Sequence, residues 1–297
     1  MSVHATSTDR LELGEGVRWT QGGLVLTDIL TGRLLTLPPA SPPDGSGPLR
    51  ELLQLPFPLG AVAPVADAPG TWIAAADTGI CLLRPDTPPR WAARPPQDPA
   101  RPFRMNDATA DPAGRFWAGS MAYDAAPGRG ALWRVDPDGT VTRVLDGLTV
   151  PNGPVFTADG RTLYLADSAR GRLLRHAVDP ASGALDEGEL FATVTSGSPD
   201  GMAVDLNGGV WSAVWGAGVL HHYRADGTLD EVVPVPVRQP AGLCLGGADG
   251  RTLFVTSARI GLERPGPLDG ALLRLRVDVP GAPACAFRSG SHPPLNF

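Results

Sequence analysis

The chain has 297 residues, a formal net charge of -6, a pI near 5.3 and 42% hydrophobic residues. That apolar content excludes general disorder, and the dispersed, acidic charge argues against a nucleic-acid partner, which needs a basic face. All 25 residues in the Lys+Arg count are Arg, so a Schiff-base lysine, a lysine-anchored pyridoxal phosphate and a lysine-dependent phosphate loop are excluded.

At the N-terminus, Met1–Arg10 is polar and has no basic stretch followed by an apolar one, so no signal peptide is expected. No run of about 18 apolar residues follows anywhere. The expectation is a soluble, cytoplasmic protein with no membrane partner.

The segment Arg10-Leu11-Glu12-Leu13 precedes the first copy of an internal repeat. Each copy is a glycine turn, a short apolar strand, then a small or acidic residue. The copies are Gly22–Asp28, Gly70–Asp77, Gly114–Gly119, Gly160–Asp167, Gly208–Ala213 and Gly250–Thr256. The turn glycines 22, 70, 114, 160, 208 and 250 are spaced by 48, 44, 46, 48 and 42 residues. A period of that size holds four short strands and their turns, which is one propeller blade. Helical periodicity is poor, and Pro interrupts most candidates. The reading is an all-β, six-bladed β-propeller over 1–297 as a single domain. Its ring is closed by an N-terminal strand, with Arg10–Leu13 the candidate for the last strand of the final blade. The Pro-rich segments 38–48 and 85–102 read as surface loops between repeats.

Cys81, Cys244 and Cys285 are far apart and odd in number, and two of them sit in apolar runs. They read as small buried hydrophobes, not as a disulfide framework or a zinc site. His221-His222 lies on a strand, where neighbours face opposite ways and cannot chelate one ion together. Those two, with His4, His176 and His292, read as structural. The seven Trp and aromatic runs such as Phe116-Trp117 read as blade packing, not as a base-stacking platform. No Gly-x-Ser-x-Gly nucleophile elbow is present, which argues against an α/β-hydrolase.

A propeller carries its ligand site at one mouth of the central channel. Four polar residues precede the repeat strands at matched offsets. Glu15 lies 7 residues before its turn glycine, and Asn106, Asn152 and Asp200 each lie 8 before theirs. Equal offset in a radial fold means equal height on the axis. Four oxygen-bearing side chains there suit a hard divalent cation. Asn-Gly and Asp-Gly pairs also serve ordinary turns. The matching places in the second and sixth repeats, Gly60–Ala63 and Pro240–Leu243, carry no ligand group, as expected of a site and not of a structural repeat.

The sequence resembles the SMP-30/gluconolactonase/luciferin-regenerating enzyme family. The resemblance rests on Gly14-Glu15-Gly16-Val17-Arg18-Trp19, on Arg104-Met105-Asn106-Asp107 running into Asp111–Met121, on Pro151-Asn152-Gly153, on Pro199-Asp200-Gly201-Met202 and on Thr252–Ala258. It spans about residues 10 to 280 and implies a six-bladed propeller holding one divalent metal. It implies Glu15, Asn152 and Asp200 as metal ligands, and Arg104, Asn106 and Asp124 as substrate contacts. Tyr123 stands where the family pattern often has the first member of an acidic pair, and Val17 where it usually has Pro.

The activity so implied is metal-dependent opening of a lactone, a sugar lactone such as gluconolactone first, to the hydroxy acid. The metal would be Ca, Mn, Zn, Mg or Fe. It would act as a Lewis acid and lower the pKa of a bound water. Asp200 is the candidate general base, and Arg104 would stabilise the oxyanion or orient a hydroxyl. Asn106 would fix the ring. Two other readings stand beside this one: a non-catalytic ligand-binding propeller, since fold alone does not give function, and a metal-dependent hydrolase of another ester. Tyr123 and the apolar surroundings of Trp215 favour a less polar substrate than a sugar lactone.

Overall fold

The computed structural model describes residues 2–37, 47–95 and 102–290. These residues form 24 strands in six four-stranded antiparallel sheets, and the one helical element is a 3-10 turn at Ser168–Arg170. After β1 (His4–Ala5), the first sheet is β2 (Gly14–Thr20), β3 (Gly23–Asp28), β4 (Arg33–Leu37) and β5 (Arg50–Gln54). The second is β6 (Leu59–Pro64), β7 (Trp72–Ala76), β8 (Gly79–Leu83) and β9 (Arg90–Ala93). The third is β10 (Phe103–Ala110), β11 (Phe116–Ala122), β12 (Gly130–Val135) and β13 (Val141–Leu148). The fourth is β14 (Pro151–Phe156), β15 (Thr162–Asp167), β16 (Arg172–Ala177) and β17 (Glu189–Thr193). The fifth is β18 (Ser198–Val204), β19 (Val210–Trp215), β20 (Val219–Tyr223) and β21 (Leu229–Pro234). The sixth joins β22 (Pro240–Gly246), β23 (Thr252–Ser257) and β24 (Leu273–Arg276) to β1.

The first strand of each sheet packs on the first strands of its neighbours, all the way round from β2 to β22. Six blades therefore stand around one axis, as the repeat period predicts. The repeat strand proper, following the turn glycine, is the second strand of each blade. It is covered on both faces by adjacent blades and so reads as a continuous apolar run: all six residues of β3 are buried. The outer strands meet solvent, and β21 shows mostly exposed residues. Aromatic contacts bridge the gaps between blades. Trp19 stacks on Phe254 at 5.6 Å, Trp117 meets Phe156 at 5.3 Å, and Phe191, packed on Tyr164 of its own blade, meets Tyr223 of the next at 6.0 Å.

The ring closes through an N-terminal strand, but not through Arg10–Leu13. The closing strand is β1, in which His4 pairs with Arg274 and Ala5 with Leu273. The reason is distance. The outermost place in blade six lies three strand spacings, about 14 Å, from the axis side of the blade. Residues 10–13 run directly into the innermost strand β2 and cannot span that gap. They instead line the approach to the axis, where Leu11 N–H donates to Gly270 C=O at 2.7 Å and Leu13 bridges Ala258. Part of the segment 85–102 also departs from the loop reading, because Arg90–Ala93 forms the short edge strand β9. Four residues flanked by proline give too little alternation to detect. Residues 38–46 and 96–101 of the two Pro-rich segments, and His292, lie outside the described residues.

The C-terminal stretch crosses one face of the ring. Leu206 N–H donates to Pro280 C=O, Ala284 N–H to Trp19 C=O, Phe287 N–H to Pro64 C=O, and Arg288 N–H to Gly114 C=O. These partners sit where each first strand ends, so that mouth of the channel is covered. The site is built at the opposite mouth, where the first strands begin. No helix among the described residues is long and apolar enough to cross a membrane.

Candidate functional site

Glu15, Asn106, Asn152 and Asp200 each precede the repeat strand of their blade, as their offsets predict. They lie on the inner strands β2, β10, β14 and β18 themselves. In each of these strands the register slips at that point: between Glu15 and Arg18, Met105 and Ala108, Asn152 and Val155, Pro199 and Met202. Such a bulge puts an extra residue on one strand and re-aims its side chain. Gly153 shows what this demands. Its φ of +53° favours glycine, and a Cβ there would lie 2.7 Å from the Asp200 carbonyl oxygen. The Asn-Gly and Asp-Gly pairs read as possible turns are thus bulges at the axis.

All four side chains line one cavity of about 370 Å³, together with Arg104. They are buried, at 4% exposure for Glu15, Asn106 and Asp200 and 8% for Asn152. A hydrogen-bonded chain joins two blades. Arg104 donates to Asn106 Oδ1 at 2.7 Å, Asn106 Nδ2 donates to Asn152 Oδ1 at 2.8 Å and to Pro151 C=O at 3.0 Å, and Asn152 Nδ2 donates to Ser168 Oγ at 3.2 Å. Ser168 is a participant the sequence reading did not single out. Its only signal was its place directly after the acidic end of a repeat strand.

Two carboxylates share the floor. Burial, then the charges of Asp200 and Asp107, pushes the Glu15 carboxyl well above its usual range. Burial, then the charge of Asp107, pushes Asp200 up as well, and the two carboxyls lie within hydrogen-bonding reach of each other. Asp200 Oδ1 is buried with no hydrogen-bond partner among the described residues. Burial also lowers the Arg104 pKa, opposed by Tyr123, Glu15 and Asp200.

Asp107, next along from Asn106, turns away from the cavity. It pairs with Arg18 at 3.1 Å, and its Oδ2 accepts from the Gly153 N–H at 3.1 Å. This ties the bulge of blade three to that of blade four. Asp28 and Asp167, the acidic ends of two repeat strands, accept from the Leu13 N–H and the Val150 N–H, and so hold the segments that lead into β2 and β14.

Asp124 is not brought into this arrangement. It is exposed, lies outside the cavity lining, and its carboxylate accepts from the Ala126 N–H at 3.1 Å. Tyr123 beside it is 52% exposed. Among the described residues, no histidine or cysteine lines the cavity. His222 instead stacks on Trp211 at 4.5 Å and faces Asp205 at 3.2 Å on the flank of blade five. Cys81 and Cys244 are buried free thiols.

The donor set fits a hard cation. It is all oxygen, from two buried carboxylates and a carboxamide, and one carboxylate oxygen has no other partner. Glu15, Asn152 and Asp200 could hold such an ion, with Asn106 and Arg104 to one side of it.

Residues 13–259 match the family pattern described as the SMP-30/Gluconolactonase/LRE-like region. The chain is 36% identical to Pentonolactonase XacC of Haloferax volcanii, over 97% of this chain and 98% of that one. It is 34% identical to the 6-deoxy-6-sulfogluconolactonase of Pseudomonas putida, over 91% and 92%. Among solved structures, it superposes with a TM-score of 0.87 on regucalcin of Agrobacterium tumefaciens, described as a calcium-binding protein, at 29% identity over 97% of both chains. On the blade repeat, the axial residues and these matches together, the chain belongs to the SMP-30/gluconolactonase/LRE-like family.

Proposed function

We propose that this protein hydrolyses a lactone to its hydroxy acid with the help of one divalent cation. The observation that carries the proposal is the buried, unpartnered Asp200 Oδ1 beside a second buried carboxylate, on the floor of an open cavity. Full-length similarity to proteins named pentonolactonase and sulfogluconolactonase supports the reaction class. Similarity to a calcium-binding regucalcin supports the cation.

Glu15, Asn152 and Asp200 would hold the ion. Bound there, a divalent cation supplies Lewis-acid polarisation and a more acidic water. The chain's own groups do the rest. Asp200 takes the proton of the attacking water as its oxygen bonds to the lactone carbonyl carbon. The ring C–O bond then breaks, and the departing ring oxygen receives that proton. Arg104 offers N–H donors to the oxygen on which negative charge builds. Asn106, held between Arg104 and Asn152, keeps those donors at a fixed height on the axis.

The test is acid release from sugar and aliphatic lactones. It uses chelator-treated protein refilled with Ca²⁺, Mn²⁺, Zn²⁺, Mg²⁺ or Fe²⁺, with spontaneous opening subtracted. Turnover is expected with at least one cation. Asp200→Asn and Glu15→Gln should lose it, together with the thermal stabilisation that a cation binding only the folded state provides, about 2.7 kcal/mol at a hundredfold excess over Kd. Stabilisation by a cation without turnover on any lactone would move the chain to the ligand-binding reading.

A further inference from the structure

The cavity has two unlike walls. On the side of blades three and four stand Arg104, Asn106, Asn152 and Ser168, linked in one hydrogen-bonded chain, together with the apolar Met121, Val150 and Ala169. Tyr123 and Asp124 lie beyond them, at the end of β11. On the side of blades five, six and one stand Trp215, Ile260, Leu13 and Ile29. With Ala258 these pack as one contiguous apolar cluster. In a six-blade ring, blade six lies across the axis from blade three, so the walls face each other over the carboxylate floor. Ser198, where β18 begins, is the one side-chain hydroxyl that lines the cavity on the apolar side among the described residues.

The apolar wall has a clear chemical consequence. A hydroxyl pressed against the Ile260 side chain and the ring face of Trp215, away from Ser198 and the indole N–H, gives up its water and gains no partner. A methyl or hydrogen there gains by leaving water. A lactone whose carbonyl sits over the floor beside Arg104, with its ring hydroxyls toward Asn106 and Ser168, directs the substituent at its far carbon toward that wall.

Resting on the lactonase reading, we infer that the preferred substrate is a lactone that ends in an alkyl or deoxy group, not a fully hydroxylated sugar lactone. Trp215 and Ile260 set this preference and Arg104 does not. Both lie at the rim, partly buried; the Ile260 backbone N–H donates to Glu12 C=O and its C=O accepts from Gln239 Nε2. Its side chain packs against Leu13, Ile29 and Ala258 and also lines the cavity, where a ligand can meet it.

The experiment compares hexonolactones with their 6-deoxy counterparts of the same stereochemistry, on the cation-loaded protein. Calorimetric binding of the corresponding ring lactams supplies a readout that needs no turnover. The deoxy member of each pair should show kcat/KM about tenfold higher, the lower end of what one apolar group in a hydrophobic pocket provides, and its lactam should bind more tightly by a similar factor. Ile260→Gln and Trp215→Gln should each erase most of that ratio, in kcat/KM and in lactam affinity alike. Equal or better use of the hydroxylated member, or a ratio untouched in both variants, would overturn the inference and leave the lactonase reading standing. Tighter binding of the deoxy lactam with no hydrolysis of any lactone would support the preference and overturn the lactonase reading.

Discussion

Asn106 donates through Nδ2 to Asn152 Oδ1 at 2.8 Å, and this bond fixes which atom Asn152 presents beside the channel. The direction begins at Arg104. A guanidinium has donors and no acceptor, so Asn106 must turn its oxygen toward Arg104 and its NH₂ toward blade four. Asn152 must then offer oxygen, and its own NH₂ is left for Ser168. An arginine two residues from one carboxamide thus orients a second one 46 residues on, and the atom it exposes is the one a cation needs.

Replacing Asn106 with Leu removes the relay without changing the charge of the floor. Lactone hydrolysis should fall about 10- to 100-fold, the usual effect of losing a group that orients a metal ligand. Stability should fall by about 1–3 kcal/mol, because Arg104 and Asn152 lose partners in a buried place. Initial rates and urea unfolding read the two effects separately. Unchanged cation affinity and rate would show that Asn152 is oriented by something else.

Arg18 and Asp107 form a pair with 12% and 4% side-chain exposure. Arg18→Met leaves the Asp107 charge buried and uncompensated, which should cost about 3–5 kcal/mol. Asp107→Asn in the same background should recover part of that loss, since the carboxamide oxygen can still accept from the Gly153 N–H. Equilibrium urea unfolding of the single and double variants is the check. Equal stability of the two would mean that loss of Arg18 leaves no uncompensated charge on Asp107.

His221 lies half-buried on β20, its Nδ1 within 2.8 Å of the Tyr223 hydroxyl, and burial holds its pKa below the usual value of 6.5. The folded protein therefore favours neutral imidazole. Stability linked to this group is complete above about pH 6.5 and is lost as pH falls through the lower, folded value. His221→Gln should flatten the melting temperature against pH between about 7 and 5. A slope as steep as in the parent would assign it to other groups.

Phe287 is fully buried beneath blades two and three, and its backbone bonds to Pro64 and Ala66. Phe287→Ala should cost about 3–5 kcal/mol, while KM on the preferred lactone stays within a factor of two, because the cavity opens at the other mouth. A rise in KM greater than tenfold with little loss of stability would contradict the assignment of the C-terminal stretch to covering one face.

The sequence by itself determined the blade count, because six covered second strands leave six apolar runs behind turn glycines at one period. It also determined the height of the axial residues, since Glu15, Asn106, Asn152 and Asp200 keep nearly one offset from those glycines. Only the tertiary structure decided that these residues sit at bulges in the inner strands, that β1 and not Arg10–Leu13 closes the ring, and that Asp124 stays out on its turn. It also decided that Ser168 ends the relay and that Ile29, Trp215 and Ile260 form one wall. The reason is range. Periodicity records how residues a few places apart share a strand face, whereas a wall drawn from blades one, five and six joins positions over 200 residues apart that no local pattern links.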